Sequence, residues 1–502
     1  MGIYSVPPEI LALKPEHTMI KRIKDNYYVY NYESYIEKTM SNDGTIVRKT
    51  RTKMGRCIGK ITLEGGFIPN SRKLSEDRIT GLDFGNYSFA VSNSQNTLRL
   101  LKSVFNSDDA SQIYVVAMIF FVNRFTYMTR IKSVYDLSYL SIAFPNVHMG
   151  YNAIKTLYDN LGRRNMKVRQ FEQLMITQSS GRIAIDGHVI ACTSECNDLS
   201  EFGYKAKKFG TPQINWMTAY DVVSSTPLFS QVFSGSDPDK VSVHLLLERF
   251  SFSNTEFTVD RGFNTKRNKE LMSTNGNTYI VPMVSGRKDY ASIVDSLQFD
   301  EKNYFVYDKD GYSSVIYYQE HKHDNIRQIA YKDVSRAGAE RQDYIKAIRD
   351  GKEGYNQENL RENEKYFGLF LLETNNQELS VEDVFSHYKD RWSIETYYNY
   401  VRNDTDFNAL YQQDYFSTQG ISFIVSVSGM IYHELKAIAD SSGVSLKDIM
   451  QETKKLKLFL EGDKWIRQNY IKSVRLICEK VNFVPAEVIE SSLTPSKSSV
   501  ST

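Results

Sequence analysis

Two short apolar runs in this chain stop at an aspartate, and no other feature constrains the fold as tightly. Ile183-Ala184-Ile185 leads into Asp186-Gly187-His188, and Phe257-Thr258-Val259 leads into Asp260-Arg261-Gly262. Runs this short, closed by turn-forming residues, read as buried strands. A carboxylate after the last apolar residue then stands at the rim of a sheet, where α/β folds gather their ligands. Apolar runs at His188–Cys192, Ile214–Ala219 and Tyr279–Met283 alternate with helical segments, so the chain from Gly181 onward reads as an α/β sheet domain. An aspartate after a strand also serves as a turn former, so each of the two gains weight only from its company.

That company is a helix from Tyr388 to Arg402. At about 100° per residue, Tyr388, Arg391, Glu395 and Arg402 project within roughly one sixth of its circumference. Ile394, Tyr397 and Val401 fall on the opposite side, where a core would be. A tyrosine, two arginines and a glutamate on one narrow stripe make poor core material. Beside two rim aspartates they suggest a functional site rather than a merely solvated face.

Composition narrows the class. A chain of 502 residues with 62 Lys+Arg against 60 Asp+Glu is not a globally basic DNA coat, although local basic faces remain open to it. Four cysteines form no disulfide framework, which points to a reducing cytoplasm. The longest nearly unbroken apolar run, Ile113–Val122, is far short of the about 20 residues that span a bilayer, and no charged-then-apolar leader opens the sequence. A secreted, membrane or disordered protein is therefore not expected.

Before the sheet domain, residues 1–80 read as β-rich, with a turn at Asn42-Asp43-Gly44. The run Ile46–Ile61 carries Arg48, Lys49, Arg51, Lys53, Arg56 and Lys60 with no carboxylate among them. On a strand, Lys49, Arg51 and Lys53 alternate onto one face, a basic ribbon suited to a phosphate backbone or simply a solvated hairpin. Residues 94–177 turn helical, with Asp108-Asp109 placed to start a buried helix over Ala110–Tyr135. Residues from Ile421 to Val481 read as helical, and the Ser/Thr/Pro/Lys tail from Ser491 as disordered.

Other candidates are weaker. Cys192-x3-Cys196 lacks a second pair with zinc spacing, and His321 and His323 lie in a charged stretch. Lys205, Lys207 and Lys208 suit a DNA-contacting loop or merely a soluble one. No phosphate-binding glycine loop or dinucleotide fingerprint occurs.

Taken in order, Asp-Gly after a strand, Asp-Arg-Gly-Phe, and Tyr-x2-Arg-x3-Glu-x6-basic resemble the DDE-type insertion-sequence transposases, in the branch marked by a Tyr-Arg-Glu-Lys signature. The resemblance runs from about Gly181 to Ala437 and takes in Leu199–Tyr204, Gln213-Ile214-Asn215 and Thr226-Pro227-Leu228. It implies an RNase H-like catalytic core with Asp186, Asp260 and Glu395 as the catalytic, metal-holding triad. The gap from Asp260 to Glu395 is nearly twice that from Asp186 to Asp260, which suits members with a β-rich insertion before the glutamate helix. One departure is visible: the signature's lysine is Arg402 here, and a guanidinium forks onto phosphate where an ammonium is a point charge.

The resemblance further implies two Mg²⁺ ions (Mn²⁺ may substitute), which activate the attacking water or 3′-hydroxyl and stabilise the leaving oxygen. Tyr388, Arg391 and Arg402 would hold flanking phosphates, and Lys49, Arg51, Lys53 and Arg56 would contact DNA. The expected partners are double-stranded element ends and target DNA, bound by a homodimer, without a membrane, in the cytoplasm at the nucleoid. The expected organisation is a basic β-rich region over 1–80 and a helical DNA-binding region over 81–178. The core follows in two parts, 179–283 and 366–440, around a β-rich insertion at 284–365, with a helical region at 441–490 and a disordered tail at 491–502. A two-metal nuclease that never joins strands, or a catalytically silent DNA-binding descendant, remains an alternative.

Overall fold

The computed structural model describes residues 6–40, 46–69, 80–163, 165–192, 194–203, 210–309, 311–405, 407, 409–410 and 412–490. The turn at 42–44, Lys205, Lys207, Lys208 and the tail from Ser491 lie outside them. The chain divides into two compact units, 1–80 and 81–502.

The first unit is an antiparallel sheet of four strands in sequence order: β1 (Thr18–Ile23), β2 (Asn26–Met40), β3 (Ile46–Thr62) and β4 (Gly66–Pro69). Ile10, Val29 and Ile61 are its buried centre. Gly59 has no room for a side chain, because a Cβ there would stand 2.4 Å from the main-chain oxygen of Ile68. The basic positions Lys49, Arg51, Lys53 and Arg56 are on β3, but their side chains lie outside the described residues. The register sets Glu37 opposite Lys49 and Glu33 opposite Lys53. Acidic positions thus face two of the basic ones from the neighbouring strand, which β3 alone does not reveal.

The second unit opens with β5 (Gly81–Asp83) and a set of helices. Asn106 caps the helix Ser107–Asn123, its side chain accepting from Asp109 N at 2.8 Å. The single helix expected over Ala110–Tyr135 is in fact two. The backbone turns at Arg124, where φ is +64°, and a second helix runs Met128–Asp136. Helices Tyr151–Arg163 and Asn165–Thr177 then lead into the large sheet.

That sheet contains β6 (Arg182–Cys192), β7 (Gln213–Asp221), β8 (Thr226–Ser234), β9 (Glu256–Val259), β10 (Thr278–Pro282), β11 (Tyr304–Lys309), β12 (Tyr312–His323), β13 (Ile326–Asp333) and β14 (Leu369–Thr374). Its order is β11-β12-β13-β14-β10-β9-β6-β7-β8, and a short β15 (Ala409–Leu410) pairs with the far end of β6. Strands β8, β7 and β6 are antiparallel, whereas β6, β9 and β10 run parallel. The strands within 284–365 extend this same sheet through β14, which pairs antiparallel with both β13 and β10. Three helices, Lys288–Ser296, Val334–Arg349 and Gln357–Asn363, accompany them.

The helix Tyr415–Ser442 packs against β8 and against the helices Ser107–Asn123 and Tyr151–Arg163. By length and composition it could cross a membrane, yet it is mostly buried inside the protein. The expectation of a helical C-terminus needs correction. Besides the helices Leu446–Thr453 and Lys472–Lys480, this region holds β16 (Lys457–Glu461), β17 (Lys464–Arg467) and β18 (Val488–Glu490), in a second sheet ordered β18-β17-β16-β5. Gly462, with φ +65°, turns β16 into β17. The partner β5 is so distant in sequence that no local pattern signals the pairing.

Candidate active site

Asp186 is not at the end of its strand, as its Asp-Gly-His context suggests, but near the middle. Pairing with β7 continues from Ile183↔Asp221 to Ala191↔Gln213, which keeps β6 extended through Gly187. On its other side β6 loses its neighbour at this point: the parallel ladder with β9 ends at Ile185↔Val259. The next residues on the two strands are Asp186 and Asp260, so the register sets the two aspartates side by side. Gly187 N donates to Asp186 Oδ1 at 2.8 Å.

The third carboxylate comes from a segment that is helical but irregular. The helix Val381–Asp390 begins at Ser380, whose hydroxyl accepts from Asp383 N at 3.0 Å. Through Arg391–Glu395 the amide bonds shorten to i→i−3: Ile394 N to Arg391 O is 3.1 Å and Glu395 N to Trp392 O is 3.0 Å. A regular turn follows over Ser393–Asn399, and the chain then widens to a π turn at Tyr400–Asp404. Tight and wide turns shift the phase in opposite senses, so a uniform 100° step describes only their average.

The face reading therefore needs amendment at its far end. Ile394, Tyr397 and Val401 are buried, Tyr388 lies at the aspartates, and Arg391 and Glu395 face Asp186. Arg402 sits on the π turn, with its Nη2 donating to Asn399 Oδ1 at 2.9 Å.

Arg391 is the hub. Its side chain is only 8% exposed, with Nη1 3.3 Å from Asp186 Oδ2 and Nη2 4.0 Å from Asp260 Oδ1. The Tyr388 ring lies beside it, 5.7 Å from centroid to guanidinium carbon. Burial pushes the Asp186 carboxyl up to about 6, Arg391 and the Gly187 amide pull it back, and the nearby charges of Glu395 and Asp260 push it further up. Burial likewise raises the Tyr388 hydroxyl, with Arg391 opposing. Asp260 is half-exposed at the mouth of the site, so the site is open on that side.

A partly buried network holds the helix to the strands. Arg182, opposite Glu256 in the β6–β9 register, donates to Asp390 at 2.9 Å, and His387 Nδ1 is 2.8 Å from Glu256 Oε1. Beyond Asp260 the surface drops into a cleft of about 280 Å³ lined by Arg261, Arg336, Lys389, Phe370, Tyr388 and an outward-facing Trp392. Of these, only Tyr388 stands among the candidates read from the sequence. Arg261 and Trp392 adjoin motif residues, but Arg336 and Phe370 reach the cleft only through sheet pairing.

Residues 177–411, a little under half the chain, match the family model of the transposase DDE domain. This part of the protein is similar to a DDE transposase domain. The match contains all three carboxylates and both arginines of the site. A solved piggyBac transposase synaptic complex with hairpin DNA is also similar, at 12% identity over 73% of this chain and 77% of that one; its TM-score of 0.37 is too low to carry an argument. No curated protein matches.

DDE transposases generally use divalent metal ions. Among the described residues, no three His, Cys, Asp or Glu side chains are gathered as a ready-made cage. The donor set nevertheless suits a hard cation. The charges of Glu395 and Asp260 both raise the proton affinity of Asp186, and Mg²⁺ asks for only one or two carboxylate ligands besides water and phosphate.

Proposed function

We propose that the protein is a DNA transposase of the Tyr-Arg-Glu-Lys branch, with an RNase H-like core. It binds the ends of its own mobile element, cleaves them, and joins the freed 3′-ends to target DNA. The observation that carries this reading is that Asp260 and Glu395 lie near enough to Asp186 for both charges to act on its carboxyl, within the segment similar to a DDE domain. The mixed order of three antiparallel and two parallel strands supports the RNase H-like assignment, because it brings Asp186 and Asp260 onto adjacent strands.

In this mechanism Asp186, Asp260 and Glu395 hold the divalent ions. When bound, two Mg²⁺ or Mn²⁺ ions activate the attacking oxygen and stabilise the leaving one. Arg391 leaves its carboxylate partners to grip a phosphate beside the cut, and Tyr388 hydrogen-bonds the same group. Arg402 reaches a more distant phosphate. Lys49, Arg51, Lys53 and Arg56 follow the backbone of the element end, and two protomers act together on DNA in the cytoplasm.

The test is strand cleavage of end-labelled DNA from the flanks of the protein's own reading frame, with Mg²⁺, comparing wild type with Glu395→Ala. Site-specific nicks followed by joined products, all lost in the variant, are expected. Nicks without joining would leave a nuclease, and cleavage that survives Glu395→Ala removes the triad.

A further inference from the structure

Tyr398 lies one turn after Glu395 and on the same side of the helix, since residues three apart are neighbours there. It is almost completely buried, and its hydroxyl donates a 2.7 Å hydrogen bond to the main-chain oxygen of Asp186. That oxygen stands just past the last β6–β9 pair. Asp186 is therefore held twice: its carboxylate by Arg391 and the Gly187 amide, its carbonyl by the helix that carries Glu395. The Tyr398 ring also packs against His188, two residues further along the same face of β6, with centroids 5.2 Å apart.

Packing alone would be served equally by phenylalanine. The hydroxyl adds a directional tie between the strand of one carboxylate and the helix of another, on a regular turn that is flanked by a tight turn before it and a π turn after it. We propose that Tyr398 is a positioning residue that sets the spacing of Glu395 and Asp186, and through it the affinity of this carboxylate pair for a divalent cation. The proposal rests on the metal-dependent reading above.

The full-length protein carrying Tyr398→Phe tests it. Mn²⁺ binding without DNA is followed by loss of the free-ion electron paramagnetic resonance signal, with Asp186→Asn identifying which ions bind here. Groups that orient metal ligands commonly govern affinity by a factor of about ten or more. Tyr398→Phe should therefore raise the Mn²⁺ half-saturation about tenfold. Strand cleavage should recover at high Mg²⁺, while DNA binding stays at its wild-type value. Equal Mn²⁺ half-saturation in Tyr398→Phe and wild type overturns the proposal, whatever happens to the thermal midpoint. If wild type takes up no Mn²⁺ that Asp186→Asn abolishes, the metal-dependent reading itself falls and the proposal goes with it.

Discussion

Two long helical segments pack against the large sheet, and they are built on opposite principles. Tyr415–Ser442 is one unbroken helix that buries small and apolar side chains on most of its circumference and ends at Gly443 in the left-handed conformation. The segment from Val381 to Asp404 departs from the α-helical hydrogen-bond pattern twice and is tied down by polar contacts to Asp186, Asp260, Glu256 and Arg182. The regular helix holds the fold together by close packing, whereas the irregular one presents charged groups where packing would not place them. Substitutions should therefore divide cleanly. Changes in the irregular segment should cost function, and changes along the regular helix should cost stability.

The largest effect should come from Glu395→Gln. Removing one carboxylate of a metal-binding set should lower the cleavage rate by at least about a thousandfold, roughly 4 kcal/mol in barrier terms. Stability should change by no more than about 0.5 kcal/mol, because a like charge beside buried Asp186 disappears as well. Parallel cleavage assays and denaturant unfolding would measure both, and a large loss of stability would erase the contrast between the segments.

Gly420→Ala is the converse. In most helices that change stabilises by up to about 1 kcal/mol. Here a Cβ on Gly420 would lie 2.1 Å from the main-chain oxygen of Tyr158, and one on Gly162 would lie 2.0 Å from that of Phe416. The helices Tyr151–Arg163 and Tyr415–Ser442 touch backbone to backbone, so Gly420→Ala should destabilise by about 3 kcal/mol. Urea unfolding decides the sign.

The same contrast explains what the sequence could disclose. Strand texture put Asp186 and Asp260 at a sheet rim and helical phase put Arg391 and Glu395 on one face, because apolar periodicity is a local property; only the family resemblance joined these elements into one site. Gly187 read as a stop because a lone glycine after aspartate looks like a turn. Only pairing with β7, set by residues some thirty positions away, carries β6 past it. The tight turn at Arg391–Glu395 has no glycine or proline to announce it, and it coincides with the inward burial of Arg391. Arg182 and Glu256 gave no sign of pairing, since their contact follows from a parallel register. The β16–β17 hairpin at Gly462 was legible but overlooked; its pairing with β5 was not.

Glu172 tests the packing beside the regular helix. It is buried with Oε1 accepting from Gln231 at 2.9 Å and Oε2 without a partner, while its neighbour Phe171 meets Phe423 of the long helix. Burial pushes its carboxyl from 4.5 up to about 8, against the pull of Arg249 and Arg169. Between those values the unfolded chain has lost the proton and the folded one keeps it. The stability from this proton is complete below about pH 4.5 and lost as pH rises through 8. Unfolding free energies at pH 5 and pH 9 should differ by about 2–4 kcal/mol from this source, and Glu172→Gln should flatten that decline.

The smallest effect belongs to the contact between the two segments. His433, on the regular helix, packs against Tyr397 of the irregular one and against Tyr220 and Tyr432, with ring centroids 6.3, 5.5 and 5.1 Å away. Burial holds its imidazole down from 6.5 to about 3, and Lys436 on the same helix adds to this. The sign is the reverse of that for Glu172. Above pH 6.5 neither state carries the proton. As pH falls towards 3 the unfolded chain takes it up and the folded one does not, so stability drains away on acidification. From pH 7 to pH 5 the loss should be about 1–2 kcal/mol, and His433→Phe, which keeps a ring among rings, should remove most of it. If the acid loss persists in His433→Phe, the histidine takes up its proton in the folded state, and the seam between the two segments is wetter than its packing implies.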